Sequence, residues 1–195
     1  MKILENLCKY DIILGSGSPR RRQLLSELGI RFRVCPGHNH DESYPPGLTK
    51  NEIPVYLARA KAQHMHHLML PRTLLITADT IVWLDDAVIN KPADEHDAIC
   101  MLHTLSAKTH EVVTGICICT TEKELAFHVN SRVTFARLTD EEIEYYVRVC
   151  QPFDKAGAYG IQDWIGFIGI ETIEGSFYNV MGLPVQRLYQ ELKKF

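Results

Sequence analysis

The sequence predicts an α/β fold. Short apolar runs rich in β-branched residues, which are typical of strands, alternate along the chain with segments whose apolar residues recur at helical spacing. Internal repeats, low-complexity tracts and linkers are absent from the sequence, and 195 residues are enough to bury a hydrophobic core. We therefore expect a single domain over residues 1–195.

The first predicted element is a strand at residues 12–14, followed by a Gly/Ser loop and a helix. Ser18 is a favoured N-cap residue, and Pro19 is tolerated at the first helical position. The free N–H groups and the helix dipole at such a start suit a phosphate or a carboxylate. The positive charges of the arginines at 20–22 are unfavourable at the positive end of this dipole, which suggests a purpose such as binding an anion. A guanidinium group can bind phosphate oxygens in a bidentate way. A phosphate site and a solvated basic turn both remain open.

The next helix is predicted over residues 51–69, after a strand at 31–35 and a polar loop. Lys61 lies on the apolar face of this helix. A lysine at such a position usually extends its stem so that the ammonium group reaches water. The alternative is a lysine directed into a cleft that binds an anionic ligand.

An apolar strand over residues 74–84 carries one carboxylate, Asp79, in its middle. A buried carboxylate needs a cation, a metal ion or a raised pKa, because burying an unpaired charge is costly. A general base or a metal ligand requires this kind of environment. A structural salt bridge is the competing interpretation.

The remaining elements follow from turn residues, capping residues and alternating apolar positions. In chain order they are a turn at 85–86, a strand at 87–89, a helix at 93–105, a hairpin of strands 109–120 and 125–135, an acidic helix from Thr139 to Val149, a Gly-punctuated segment at 152–162, strands around 165–173 and a terminal helix after Pro184.

The composition is that of an ordinary globular protein, with 46% hydrophobic residues, 23% charged residues and a net charge of −3. This balance lacks the basicity typical of nucleic-acid-binding proteins, so no stable nucleic-acid complex is expected. No apolar run approaches the ~20 residues of a membrane helix, and the first residues lack the apolar region of a signal peptide. The six cysteines are scattered without a CxxC pair, as in reduced cytoplasmic proteins. We expect a cytoplasmic protein without a membrane partner.

Eight short segments, in order and over nearly the whole chain, carry a resemblance to a known family. They are Ser-Gly-Ser-Pro-Arg-Arg at 16–21, Ala-Arg-Ala-Lys-Ala at 58–62, Ala-Asp-Thr-Ile-Val at 78–82, Lys-Pro at 91–92, His-Glu-Val-Val-Thr-Gly at 110–115, Asp-Lys-Ala-Gly-Ala-Tyr-Gly-Ile-Gln at 154–162, Ile-Glu-Gly at 173–175 and Asn-Val-Met-Gly-Leu-Pro at 179–184. With these motifs the chain resembles the Maf family of nucleoside triphosphate pyrophosphatases.

The resemblance implies an elongated Maf/inosine-triphosphatase-like α/β fold, with a mixed, strongly twisted sheet and a cleft between two lobes. It implies a hydrolase, dependent on Mg²⁺ or Mn²⁺, that cuts a nucleoside triphosphate between the α and β phosphates. The products are the nucleoside monophosphate and pyrophosphate, and the reaction is expected to help keep modified nucleotides out of nucleic acids. Because dimers are common in the family, a homodimer is an expectation of the same kind.

The resemblance also implies roles for individual residues. Asp79 is the catalytic base, and Asp79 and Glu42 are the metal ligands. The residues that bind phosphate or neutralise its charge are Ser18, Arg20, Arg21, Glu42, Lys61, Lys91 and Lys155. The alternative function is a nucleotide-sensing regulator of cell division with little catalysis. The retained Asp79 and the full set of cationic residues argue against that alternative.

Three positions separate the branches of this family. Arg20, Thr80 and Gln162 match the branch that acts on dTTP and UTP. The branch that acts on 7-methyl-GTP typically has Trp after the Ser-Pro of the first loop and Glu in the later segment. Thr80 and Gln162 offer neutral donors and acceptors for the edge of a uracil or thymine base, and ordinary packing is the alternative. We expect dTTP and UTP as substrates, with modified pyrimidine nucleotides as further ones.

Overall fold

The computed structural model describes residues 4–36 and 43–195. Within them, seven strands form a mixed sheet. The strands are β1 (Asp11–Gly15), β2 (Arg33–Val34), β3 (Thr73–Leu84), β4 (Ala87–Ile89), β5 (Thr109–Cys119), β6 (Glu124–Phe135) and β7 (Ile170–Glu174). Their order in the sheet is β2-β1-β3-β5-β6-β7, and β4 pairs with β3. The α/β class and the mixed sheet are confirmed.

Seven α-helices accompany these strands in the described residues. They are α1 (Pro19–Glu27), α2 (Glu52–His64), α3 (Glu95–Leu105), α4 (Asp140–Cys150), α5 (Trp164–Gly169), α6 (Phe177–Val180) and α7 (Val185–Leu192). Short 3₁₀ turns occur at Glu5–Lys9, His66–Leu68 and Ala156–Ala158. None of the helices in these ranges combines the length and the apolar composition that crossing a bilayer requires.

The register of the first strands places two predicted site segments side by side. β1 runs parallel to both β2 and β3, and Gly15 pairs with Thr77. The loop that follows β1 therefore begins next to the part of β3 that carries Asp79. β4 and β7 pair in the antiparallel direction with β3 and β6, which makes the sheet mixed.

Local signals predicted most helix starts and turns correctly. The Ser18 hydroxyl caps α1 by accepting a hydrogen bond from Arg21 N at 3.4 Å. Thr139 and Glu142 form the expected capping box at the start of α4. Asp85 and Asp86 both have positive φ, as the two central residues of a type I′ hairpin turn require.

Two predicted elements were wrong in part. The helix predicted to reach residue 69 ends at His64, and a 3₁₀ turn follows Met65, whose buried sulfur packs beside Gly15. The strands predicted around 165–173 begin as helix α5, and only Ile170–Glu174 is a strand. Gly166 in α5 lies so close to the Ile161 carbonyl oxygen that a Cβ would overlap it, and the neighbouring Ile165 is fully buried in the core of the second unit, where packing overrides the β propensity of this segment.

The described chain divides into two compact units. Residues 4–36, 43–79, 114–129 and 182–195 form the first unit, and residues 80–113 and 130–181 form the second. A cluster in the first unit packs one face of α2 against strands β1, β3 and β5. A larger apolar cluster fills the second unit, with α3 and α4 packed on strand residues such as Val112 and Phe135. The expectation of one domain over residues 1–195 stays a prediction.

The core of the second unit contains a buried histidine, His110. His110 is 2% exposed, and its Nε2 lies 2.7 Å from the Tyr159 hydroxyl oxygen. Its ring also packs edge-on against Phe135 and Tyr159. Burial lowers the pKa of His110 to about 4, because the charged imidazolium would lose its hydration. The folded protein therefore holds this side chain neutral at neutral pH.

This shift predicts a pH dependence of stability. An unfolded His110 binds a proton below about pH 6.5, whereas the folded one does so only near pH 4. The free energy of unfolding should therefore fall as pH decreases across this window, with a contribution from His110 of about 1.4 kcal/mol per pH unit and about 3 kcal/mol in total. Urea unfolding at several pH values checks this in the wild type and in His110→Gln, which cannot take up a proton. Equal pH slopes in the two proteins would contradict the assignment.

Candidate active site

The carboxylate predicted as a catalytic base is paired with the lysine predicted on the apolar helix face. Asp79 lies on β3 and, taken as a whole residue, is 7% exposed. Its Oδ1 forms a salt bridge with Lys61 Nζ from α2. The two side chains are 11% and 15% exposed, so the pair is shielded from solvent but can still be reached. Lys61 is thus directed toward a carboxylate, and Asp79 obtains the cation that a buried charge requires.

A buried hydrogen bond holds the two elements that carry this pair. The Thr77 hydroxyl on β3 donates to the Ala58 carbonyl oxygen on α2 at 2.7 Å. Thr77 precedes Asp79 by two residues, and Ala58 precedes Lys61 by about one helical turn. The spacing between strand and helix is therefore set directly beside the salt bridge.

Arg21 connects the start of α1 to the same strand. Its Nη1 donates to the Ala78 carbonyl oxygen at 2.9 Å and to Ser16 Oγ at 3.4 Å. Its Nε donates to the Gly182 carbonyl oxygen at 2.8 Å. These contacts give Arg21 a structural task, which is to hold the residue next to Asp79 against the loop after β1.

The N-terminus of α1 has the features expected of an anion site. Ser18 caps the helix, and its own N–H donates to Ser16 Oγ at 3.2 Å, so the loop after β1 is ordered by short-range hydrogen bonds. Arg20 lies in the first turn and is half-buried. A helix start of this kind presents backbone N–H groups and a positive dipole end to an anion.

The second unit contains the other predicted cationic residues. Lys155 is only 11% exposed, and its Nζ lies 2.8 Å from Asp154 Oδ1 and 3.7 Å from Asp163 Oδ2. Lys91 is exposed and follows Asn90, whose carbonyl oxygen accepts a hydrogen bond from Gly157 N at 3.0 Å. The segments that carry Lys91 and Lys155 are thus linked by a backbone hydrogen bond.

Two predicted specificity residues also lie in the second unit. Thr80 directly follows Asp79 on β3 and is half-buried. Gln162 is half-buried as well, and its Nε2 donates to Asp163 Oδ1 at 3.1 Å. Their assignment to base recognition stays a prediction.

One predicted metal ligand, Glu42, lies outside the described residues. Among residues 4–36 and 43–195, no three His, Cys, Asp or Glu side chains are grouped as they would be around a bound metal ion. Asp79 is therefore the described member of the predicted metal-binding pair.

Asp163 and Tyr146, which no sequence pattern singled out, form a hydrogen-bonded group beside the predicted residue Gln162. The Tyr146 hydroxyl donates to Asp163 Oδ2 at 2.9 Å and accepts from Gly160 N at 3.1 Å. Burial, together with the charge of Asp163, raises the pKa of Tyr146 well above its usual value, so this hydroxyl keeps its proton. Only the position of Asp163 directly after Gln162 could have drawn attention to it.

The chain is similar to known proteins over nearly its whole length. The family model described as Maf-like protein matches residues 11–195. A protein of Parabacteroides distasonis named dTTP/UTP pyrophosphatase is 58% identical over 193 residues, which cover 99% of this chain and 100% of that protein. A protein of the same name from Porphyromonas gingivalis is 55% identical over 195 residues, covering 99% of this chain and 98% of that protein.

A likeness also extends to a solved structure of a HAM1 protein from Coxiella burnetii. It has a TM-score of 0.51 and 16% identity, and covers 95% of this chain and 100% of that chain. At this identity the likeness concerns the fold alone. The match of one family model to residues 11–195 and the near full-length identity to the curated relatives establish that the chain belongs to the Maf family.

Proposed function

We propose that this protein hydrolyses dTTP and UTP between the α and β phosphates, releasing the nucleoside monophosphate and pyrophosphate. The observation that carries the proposal is the shielded Asp79–Lys61 pair, joined through Arg21 to the N-terminus of α1. A purely structural salt bridge would not need a capped helix start, suited to an anion, beside it. Relatives that are 50–58% identical are named dTTP/UTP pyrophosphatase, which supports the same reaction here.

A divalent cation, Mg²⁺ or Mn²⁺, fits the chemistry of Asp79. Such ions prefer oxygen ligands, and Mg²⁺ is usually held by one or two carboxylates together with substrate phosphates. Asp79 supplies one carboxylate that is not fully enclosed, and Glu42 is proposed as the second. When bound, the ion would neutralise charge on phosphate oxygens and lower the pKa of a water molecule.

The side chains of this protein would perform three tasks. Asp79 accepts the proton of the attacking water, because its carboxylate is held at one position by β3 and by Lys61. Lys61 and Arg20 stabilise the negative charge that builds up on the phosphate oxygens. Arg21 keeps the strand end beside Asp79 in place and contributes positive charge. Proton transfer and charge stabilisation then act on the same phosphoryl group.

The family motifs support roles for further residues in binding the substrate. Ser18 orders the helix start that faces the phosphates, and Lys91 and Lys155 are further phosphate-binding residues. Arg20, Thr80 and Gln162 favour pyrimidine nucleotides. Modified pyrimidine triphosphates would be removed by the same reaction before they enter nucleic acids. We further propose a cytoplasmic protein that binds no nucleic acid stably and forms a homodimer, which light scattering can test.

A nucleotide panel tests the reaction. The purified protein is incubated with dTTP, UTP, CTP, ATP and GTP in the presence of Mg²⁺ or Mn²⁺, and the products are resolved by phosphorus NMR. We expect monophosphate and pyrophosphate in equal amounts, fastest from dTTP and UTP, and no turnover once EDTA has removed the metal ion.

Three other results would argue against the proposed reaction. Release of orthophosphate instead of pyrophosphate would contradict cleavage at the α–β bond. Faster turnover of a purine triphosphate would contradict the substrate class. Tight binding of nucleotides without any hydrolysis would favour the nucleotide-sensing regulator.

A further inference from the structure

Two cysteines of the first unit lie close together at the end of β5. Cys117 and Cys119 are two residues apart in this strand, so their side chains point to the same face of the sheet. The Cys117 thiol donates a hydrogen bond to Cys119 Sγ. A free cysteine can be a plain packing residue, and its reactivity distinguishes that role from a chemical one.

The two thiols differ in their access to solvent. Cys117 is fully buried, whereas Cys119 is half-buried and ends the strand. A turn at residues 120–123 follows, and the last three residues of this turn are exposed. A small oxidant can therefore reach Cys119 from the side of the turn, while Cys117 contacts Cys119 from the core.

The hydrogen bond between them also makes the two sulfur atoms chemically unequal. It lowers the pKa of Cys119, and this effect exceeds the opposing ones of burial and of the Glu124 carboxylate. The same hydrogen bond, together with burial, raises the pKa of Cys117. The thiolate is the form that reacts with oxidants. Cys119 would thus react first, with Cys117 in place to supply the second sulfur.

We propose that Cys117 and Cys119 form a reversible disulfide when hydrogen peroxide reaches the protein, and that this bond displaces α2. The Cys119 thiolate attacks one peroxide oxygen, which breaks the O–O bond, gives a sulfenic acid and releases hydroxide. The Cys117 sulfur then attacks the sulfenic sulfur, and the proton of its thiol leaves with the sulfenic hydroxyl group as water. Two electrons pass from the thiols to the peroxide, and a dithiol reductant reverses the oxidation.

The disulfide would shorten the end of β5. Residues two apart in a strand have Cα atoms separated by about 6.6 Å, whereas Cα atoms joined by a disulfide are usually about 5.5–6 Å apart. Closing the bond would therefore draw Cys117 and Cys119 together by about 0.5–1 Å. The strand has to bend or slide to allow this.

The packing between β5 and α2 leaves little room for such a movement. Cys117 belongs to the same buried cluster as Ala58 and Ala62 of α2. Two residues before Cys117, Gly115 lies so close to the first turn of α2 that a Cβ would overlap the helix backbone. A shift of β5 at this point therefore has to move α2, which carries Lys61.

Peptide mapping tests the bond in the unaltered protein. Trypsin releases residues 109–123 as one peptide, which contains Cys117 and Cys119 and no other cysteine. After treatment with hydrogen peroxide and then an alkylating reagent, we expect this peptide to carry no alkyl group and to have lost two hydrogen atoms. Dithiothreitol should restore both alkylation sites. Amide hydrogen exchange in α2 should be faster in the oxidised protein than in the reduced one.

Turnover of UTP tests whether the bond affects the candidate active site, and this part rests on the proposed function. We expect the oxidised protein to hydrolyse UTP about tenfold more slowly, because a misplacement of about 1 Å can cost about a hundredfold in rate. Cys119→Ser should match the reduced wild type and keep its activity in peroxide. Cys100→Ser is the matched control, since Cys100 is an exposed cysteine on α3 and its loss should leave the sensitivity unchanged.

Several outcomes would overturn the proposal. These are a 109–123 peptide that keeps both thiols while the exposed Cys8 and Cys100 react, a sulfinic acid at Cys119 without a disulfide, and a disulfide that leaves hydrogen exchange in α2 unchanged. Equal loss of activity in peroxide for Cys119→Ser and the wild type would do so as well. If the reduced protein does not hydrolyse UTP, the proposed function fails alone, because the peptide mass and the exchange in α2 do not depend on turnover.

Discussion

Replacing Asp79 by asparagine is expected to lower kcat for UTP by about a thousandfold, within the range that general-base catalysis contributes. An amide cannot accept the proton of the attacking water at neutral pH, and it is a weaker ligand than a carboxylate for a divalent cation. The positive residues near the phosphates remain, so UTP should bind at least as tightly as it binds to the wild type. Single-turnover kinetics and equilibrium binding of UTP separate the two effects.

The control for this variant is Asp85→Asn. Asp85 lies in the turn between β3 and β4, where its exposed side chain pairs with Lys108 at 3.1 Å. Its positive φ of 49° is tolerated by asparagine, so the backbone should not change. Activity within about twofold of the wild type is expected, because an exposed ion pair contributes little. A kcat near the wild-type value in Asp79→Asn itself would show that Asp79 is not the base.

The second large effect is expected from Gly115→Ala. Gly115 lies on β5, and a Cβ at this position would overlap backbone atoms of Pro54 and Val55 in the first turn of α2. Backbone atoms cannot move aside as a side chain can, so the helix itself would have to shift. We expect the free energy of unfolding to fall by about 3 kcal/mol or more, as in severe overpacking. In a protein of this size the melting temperature should fall by about 6–12 °C.

Calorimetry of Gly115→Ala and Gly17→Ala gives a matched comparison. At Gly17 the nearest atom to an added methyl group would be Pro36 Cβ at 3.6 Å, which is ordinary van der Waals contact. This variant should therefore melt within about 2 °C of the wild type, as expected for a change below about 1 kcal/mol. Because α2 carries Lys61, activity of Gly115→Ala should fall as well. A normal melting temperature for Gly115→Ala would contradict the close approach of β5 to α2.

Most secondary structure could be predicted from the sequence because its signals are local. The hydroxyl of Ser18 and the capping box at Thr139 act within one helical turn, and both are present. The hairpin turn at Asp85 and Asp86 likewise depends on the φ angles of two residues. The helix at residues 164–169 could not be predicted, because burial of Ile165 in the core of the second unit overrides the β propensity of the isoleucines and phenylalanine.

Individual residues of the candidate site could be predicted from the sequence, but the partners that they contact could not. An apolar strand with one carboxylate and an apolar helix face with one lysine each indicated an unusual residue, but neither pattern identified the partner. Asp79 and Lys61 are 18 residues apart, and Arg21 reaches Gly182 across 161 residues. Asp163 attracted no attention, because an aspartate before a helix is normally a cap.

Patterns in the amino-acid sequence were enough to establish most of the strand and helix order, the capped start of α1 and the family to which the chain belongs. These features depend on neighbouring residues or on motifs that can be read in order. Only the folded protein shows that Lys61 pairs with Asp79 and that Arg21 donates hydrogen bonds to the Ala78 and Gly182 carbonyl oxygens. The same holds for the hydrogen bond from Gln162 to Asp163. The difference arises from desolvation, because a polar group removed from water must find a partner, and that partner is supplied by residues that the fold brings close.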